Sequence, residues 1–92
     1  MKKFIIERNL PGAGNLSPQE LQAIARASCD IVCSIGKPYH WIQSFVTEDK
    51  IFSILIAPDE ATVREYSHLT NLPADHIRLV KLVADITTGE QP

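Results

Sequence analysis

The fold is decided by a short apolar stretch near the middle of the chain, IFSILI at residues 51–56. Every residue in it except Ser53 is apolar, and most are β-branched or aromatic. A run of this length and composition is typical of a strand that is buried on both faces. The sequence therefore predicts a sheet in which residues 51–57 form a central strand.

The sequence on either side of this strand alternates between strand and helix patterns. Strands are predicted at residues 3–8, 39–47, 51–57 and 76–84, and helices at residues 18–35 and 60–70. The first helix has a clear start, because Ser17 can cap it, Pro18 suits its first position and Glu20 completes a capping box. Gly36 ends this helix, and Asp59 caps the second one.

The order strand, helix, strand, strand, helix, strand is that of a ferredoxin-like βαββαβ fold. This fold belongs to the α+β class and has a four-stranded antiparallel sheet with two helices on one face. Its first and third strands are central, which agrees with the apolar character of residues 51–57. We assign all 92 residues to one such domain, with a loose polar tail at residues 87–92.

The helix-free face of the sheet, called the open face below, is predicted to be strongly apolar. A three-residue connection between the second and third strands places Thr47 opposite Ile51. The open face then carries Trp41, Gln43, Phe45, Ser53 and Leu55, with Ile5 and Glu7 of the first strand. The helix-covered face carries Ile42, Ser44, Val46, Phe52, Ile54 and Ile56. So much apolar surface is rarely left in water, and we expect a homodimer to cover it.

Composition and charge exclude several classes of protein. A net charge of −2 and a charged fraction of 22% do not indicate the basic surface that binding nucleic acid requires. No apolar run has the length of a membrane span or of a signal peptide. Cys29 and Cys33 lie four residues apart on the first helix, too far apart for an easy disulfide. We therefore expect a cytoplasmic protein without nucleic-acid or membrane partners.

The most informative single residue is Glu7, a carboxylate on a central strand. A charge in that position is costly unless it is paired, hydrogen-bonded or bound to a metal. One interpretation is an ion pair with Arg8 or Lys81. The other is a hard oxygen ligand or a general base. No metal-binding histidine spacing, phosphate loop or nucleophile elbow is present, so no catalytic residue is predicted.

Four segments carry a resemblance: FIIERNLPGAG at residues 4–14, WIQSFVTEDK at 41–50, IAPDE at 56–60 and NLPA at 71–74. They are similar to a family of small bacterial proteins of unknown function, one branch of which is described as a nickel-binding dimer of ferredoxin-like subunits. The resemblance implies such a dimer and a site for nickel or another divalent metal. Members often have histidine where this chain has Gln43 and Tyr66, so two ligands that nickel favours are missing.

Three functions stay open on this basis. The first is metal binding by Glu7, Gln43, His40 and His68, within a ligand site that also includes Trp41, Phe45 and Tyr66. The second is a cofactor-free enzyme, in which Glu7 is the base and Tyr39 or Tyr66 donates a hydrogen bond. The third is a non-catalytic module whose open face binds a small ligand or a partner protein.

Overall fold

The computed structural model describes residues 1–90 and has the predicted order of elements. The strands are β1 (Lys2–Asn9), β2 (His40–Val46), β3 (Lys50–Ala57) and β4 (His76–Leu79), and the helices are α1 (Pro18–Ile35) and α2 (Glu60–Leu69). The sheet order is β2-β3-β1-β4, and all three neighbouring pairs are antiparallel. The ferredoxin-like fold is confirmed, with β1 and β3 at its centre.

Both helices begin with the caps that the sequence predicts. The Ser17 side chain accepts a hydrogen bond from the Glu20 backbone, and the Glu20 side chain accepts one from the Ser17 backbone. Asp59 caps α2 by accepting from the Thr62 N–H at 2.8 Å. Gly36 ends α1 at a φ of 74°, a left-handed conformation that glycine adopts without strain.

Strand β4 is shorter than the sequence predicts. It ends at Leu79, and the last bond to β1 runs from the Val80 N–H to the Lys3 carbonyl. Strand β1 itself begins one residue before Lys3, at Lys2, so it offers little further backbone for β4 to pair with. The tail then forms a short 3-10 helix at Ile86–Glu90, and the end of the expected loose tail, residues 91–92, lies outside the described residues.

The densest part of the core lies between the two central strands and α2. It contains Phe4 and Ile6 of β1, Leu55 and Ala57 of β3, and Val63 of α2. Helix α1 is different, because none of its residues is fully buried. Its apolar stripe covers the sheet without packing tightly against it, and a cavity lies between the two.

The predicted register of the β2–β3 hairpin is wrong by one residue. Val46 pairs with Ile51, and the Thr47 N–H donates to the Lys50 carbonyl, so only Glu48 and Asp49 form the connection. A register shift of one residue moves every side chain of a strand to the opposite face of the sheet. Ser53 and Leu55 are therefore buried beneath the helices, while Phe52, Ile54 and Ile56 lie on the open face.

A β-bulge in β2 places Trp41 on the helix-covered face. The β2–β3 pairing shifts between Trp41 and Gln43, so Ile42 is the extra residue of the bulge. Trp41 consequently lies beside Leu55 on the helix-covered face, whereas Gln43 and Phe45 keep their predicted place on the open face. The expectation that Trp41 belongs to the open face is wrong.

The loop after β1 packs against the tip of this hairpin through Gly14. The Gly14 N–H donates to the Glu48 carbonyl at 2.9 Å. A Cβ at residue 14 would lie 2.9 Å from the Glu48 Cα and 3.2 Å from the Thr47 oxygen. Both contacts are with backbone, so a side chain at this position must push the loop and the hairpin apart.

We therefore expect Gly14→Ala to lower the free energy of unfolding by about 1–3 kcal/mol, the usual range for an overpacked site. Gly89→Ala is the matched control, because nothing lies within 4 Å of a Cβ at that position. Chemical denaturation of the two variants and the wild type measures the difference. Equal stability of Gly14→Ala and wild type would contradict the close packing of loop and hairpin.

Candidate functional site

The side chains of the open face are arranged in rows that cross the sheet. One row runs from β2 to β4 through Phe45, Phe52, Glu7 and His76, and the next contains Gln43, Ile54, Ile5 and Arg78. Phe45 is 50% exposed and Ile5 is 37% exposed. The open face thus combines an apolar centre with charged groups toward β4.

Glu7 is ion-paired, though with neither of the predicted partners. The Lys50 Nζ donates to Glu7 Oε2 at 2.8 Å. This hydrogen bond is the main reason that the pKa of Glu7 is lowered; desolvation opposes it, and the charge of Lys50 and, more weakly, His76 and Arg78 lower the pKa further. Glu7 is therefore an anion at neutral pH, held beside the imidazole of the neighbouring strand.

The donors expected to form a metal site are spread over the molecule. Gln43 lies two strands from Glu7, at about 4.8 Å for each strand, and in a different row. His40 is at the far end of β2, opposite Ile56. His68 is exposed on α2, across the sheet from Glu7. Within residues 1–90, no three His, Cys, Asp or Glu side chains converge in a way that could hold a metal.

His76, a potential metal ligand, lies close to Glu7. The two residues are direct cross-strand neighbours in β1 and β4, a position in which Cβ atoms are about 4.5–5.5 Å apart. His76 is not among the metal-site residues that the sequence predicts. Its place could have been inferred from the antiparallel β1–β4 pairing, provided that the register of β4 was known.

A second candidate site, besides the open face, is a cavity of about 270 Å³ between α1 and the helix-covered face. Trp41 and Tyr66, two residues expected in a ligand site, line this cavity and are separated from Glu7, Gln43 and Phe45 by the sheet. The Tyr66 ring stacks on Tyr39 at a centroid distance of 4.1 Å, and its hydroxyl donates to the Lys37 carbonyl. The predicted ligand-site residues therefore belong to two separate surfaces.

Arg8 lies at the sheet side of this cavity and is only 5% exposed. Its Nη1 donates to the Pro73 carbonyl at 2.9 Å and to Ser67 Oγ at 3.3 Å, and its Nε donates to Ser53 Oγ at 3.3 Å. Burial lowers the pKa of the guanidinium, although the Tyr39 hydroxyl group partly offsets this effect. None of the ion pairs within residues 1–90 includes Arg8.

A line of polar groups extends from Arg8 along the cavity wall. Ser53 Oγ lies 2.9 Å from Ser44 Oγ, and the Trp41 Nε1–H donates to Ser44 Oγ at 2.9 Å. These residues come from three adjacent strands and all lie on the helix-covered face. Ser44 keeps its predicted place on that face, and Ser53 joins it because the observed register pairs the two residues directly.

A search of solved structures finds a similar fold in the crystal structure of SCO4226 from Streptomyces coelicolor A3(2). The TM-score is 0.75 at 18% sequence identity, over 89% of this chain and 99% of that chain. The family model described as "Nickel responsive protein SCO4226-like" matches residues 4–80. The chain belongs to the SCO4226-like family. The predicted resemblance is thereby confirmed.

The SCO4226-like match includes both surfaces described above, since it extends from β1 to the residue that follows β4. The exposed apolar residues Leu82, Val83 and Ile86 lie beyond it. No curated protein was found to match the chain.

Among residues 1–90, no helix has the length and apolar character that crossing a membrane requires. Cys29 and Cys33 are both free and exposed.

Proposed function

We propose that this SCO4226-like protein is a cytoplasmic homodimer, paired open face to open face, that binds a divalent metal such as nickel where the two faces meet. The observation that carries the proposal is the composition of the open face. It presents phenylalanine and isoleucine side chains to solvent around a carboxylate and an imidazole on adjacent strands. The description of the family as nickel-responsive supports the choice of metal.

The apolar centre of the open face favours a second copy of the chain as its partner. Phe45, Phe52, Ile54 and Ile5 lie in two adjacent rows. Complete burial of a fully exposed side chain of this kind contributes about 1.5–3 kcal/mol, and residues that are already half-buried, such as Phe45, contribute correspondingly less. In a two-fold symmetric dimer each of these contacts occurs twice. The homodimer predicted from the sequence therefore stays a proposal, but its surface now includes Phe52 and Ile54 in place of Trp41 and Leu55.

Two copies of the chain also supply the ligands that one copy lacks. Glu7 and His76 are two donors in each chain, and a two-fold axis near them brings four together. Carboxylate and imidazole groups both suit nickel. Because its pKa is lowered, Glu7 is already deprotonated at neutral pH, and Lys50 must leave it when a metal binds. Gln43 and His40 lie on the same face but away from this pair.

Calorimetric titration of the metal-free protein with nickel tests this proposal. We expect saturable binding with a dissociation constant of about 10⁻⁶ M or tighter, which corresponds to about 8 kcal/mol. We also expect one nickel ion for every two chains. Zinc and cobalt are titrated in parallel as a comparison of metals. Absence of binding at about 100 μM nickel, or a stoichiometry of one metal per chain, would contradict the shared site.

A further inference from the structure

The cavity beneath α1 contains a buried positive charge without a matching negative one. Arg8 is 5% exposed, and all of its hydrogen-bond acceptors are neutral, namely two serine hydroxyls and one carbonyl. A buried guanidinium usually has a carboxylate or phosphate partner, because desolvating a lone charge is costly. None of the ion pairs among the described residues supplies one.

The guanidinium keeps donors available for such a partner. The hydrogen bonds of Arg8 use Nε and Nη1, and no group within residues 1–90 accepts from Nη2. Since no fully buried side-chain nitrogen of a described residue lacks a partner, Nη2 retains accessible surface. Arg8 also lines the cavity. A planar carboxylate matches the fork geometry of a guanidinium.

The remainder of the cavity is mainly apolar. Leu21, Ile24 and Val32 of α1 form one wall, and Trp41, Val46 and Ile51 of the sheet form another. The volume of about 270 Å³ is less than twice that of the engineered cavity of about 150 Å³ that binds benzene. An occupant of roughly ten to twelve non-hydrogen atoms fits this space by simple scaling.

Helix α1 leaves this cavity accessible. None of its residues is fully buried, although its apolar stripe faces the sheet. A helix that closed a sealed core would bury several residues completely, as α2 does with Val63 and Tyr66. The loose cover agrees with a site that a small molecule enters between helix and sheet.

We propose that the cavity between α1 and the sheet binds a small monocarboxylate with an apolar body, whose carboxylate pairs with Arg8 while the body packs among the side chains of α1, Trp41 and Ile51. This site lies on the opposite side of the sheet from the proposed metal and dimer surface. It therefore adds a ligand-binding activity that does not depend on the proposed function.

Trp41 gives a direct readout, because it is the one tryptophan of the chain and it lines the cavity. Octanoate and 3-phenylpropanoate are titrated while its fluorescence is recorded, with octanamide and 3-phenylpropanamide as uncharged matches. EDTA is present throughout, so that metal bound elsewhere cannot contribute. We expect saturable emission changes and an affinity at least tenfold higher for each carboxylate than for its amide. Equal affinities, or no saturable binding by either carboxylate up to about 1 mM, would overturn the proposal.

Arg8→Met removes the charge and keeps an unbranched, apolar side chain that is shorter than that of arginine. We expect this variant to lose the carboxylate preference while still binding the amides. Arg26→Met, at an exposed position of α1, is the control and should keep the preference. A folded Arg8→Met protein that still prefers the carboxylates would also overturn the proposal. If Arg8→Met does not fold, the comparison of acid and amide on the wild type decides the question alone.

Discussion

Phe45→Glu is expected to convert the dimer into a monomer while leaving the fold of each chain intact. Phe45 is 50% exposed on edge strand β2, so its ring contributes little to the core of one chain. In the proposed dimer, Phe45 of each copy is covered by the other copy. A carboxylate placed there is buried without a partner, which costs about 3–5 kcal/mol and raises the dimer dissociation constant by about a hundredfold or more.

Analytical ultracentrifugation over a range of concentrations measures this effect. The matched control is Ala27→Glu, which places the same charge at an exposed position of α1 on the other side of the sheet. Circular dichroism of both variants verifies that the fold is kept. A Phe45→Glu protein that sediments like the wild type would show that the open face is not the contact between subunits.

The second large effect is expected on nickel affinity. Glu7→Gln and His76→Ala each remove two of the four proposed ligands, because the change is present in both subunits. Even residues that only orient a metal ligand alter affinity by about 10–100-fold, so we expect each variant to lose at least that much. Calorimetric titration with nickel, at a protein concentration where the dimer is complete, separates this effect from dissociation.

His68→Ala is the control for this pair, because His68 is exposed on α2 and lies across the sheet from Glu7. We expect its nickel affinity to equal that of the wild type. His40→Ala and Gln43→Ala test the other donors that the sequence indicated on the open face, and these too should change little. Loss of binding in His68→Ala or Gln43→Ala, with Glu7→Gln unchanged, would move the site away from the Glu7–His76 pair.

The local rules of the sequence account for the elements and for the two faces of β1. The capping box at Ser17, the cap at Asp59 and the stop at Gly36 all depend on neighbouring residues. Strand β1 alternates clearly, so Phe4 and Ile6 could be assigned to one face and Ile5 and Glu7 to the other. Local information of this kind is sufficient for a ferredoxin-like topology.

The faces of β3 could not be predicted in the same way. Residues 51–56 are apolar at almost every position, so they contain no alternation from which to choose a face. The predicted faces depend on a three-residue connection, whereas the connection has two residues. The bulge at Ile42 is a second non-local feature, because it becomes visible only when β2 is paired with β3. The shorter connection moves Ser53 and Leu55 to the helix-covered face, and the bulge separates Trp41 from Phe45.

The burial of Arg8 follows from the alternation of β1 in the sequence. Arg8 is two residues from Ile6 and four from Phe4, so in an alternating strand it lies on the same, helix-covered face. The predicted ion pair between Arg8 and Glu7 is therefore wrong, because neighbouring residues of a strand point to opposite faces. Glu7 instead pairs with Lys50 across the β1–β3 ladder.

Sedimentation velocity of the wild-type chain tests the central claim most directly. If the open faces pair, a single species of twice the 10.2 kDa chain mass is present at micromolar concentration. Phe45→Glu should return that species to the mass of one chain. A wild-type protein that sediments as a 10.2 kDa monomer at every concentration, with or without nickel, would contradict both the paired sheets and the shared metal site.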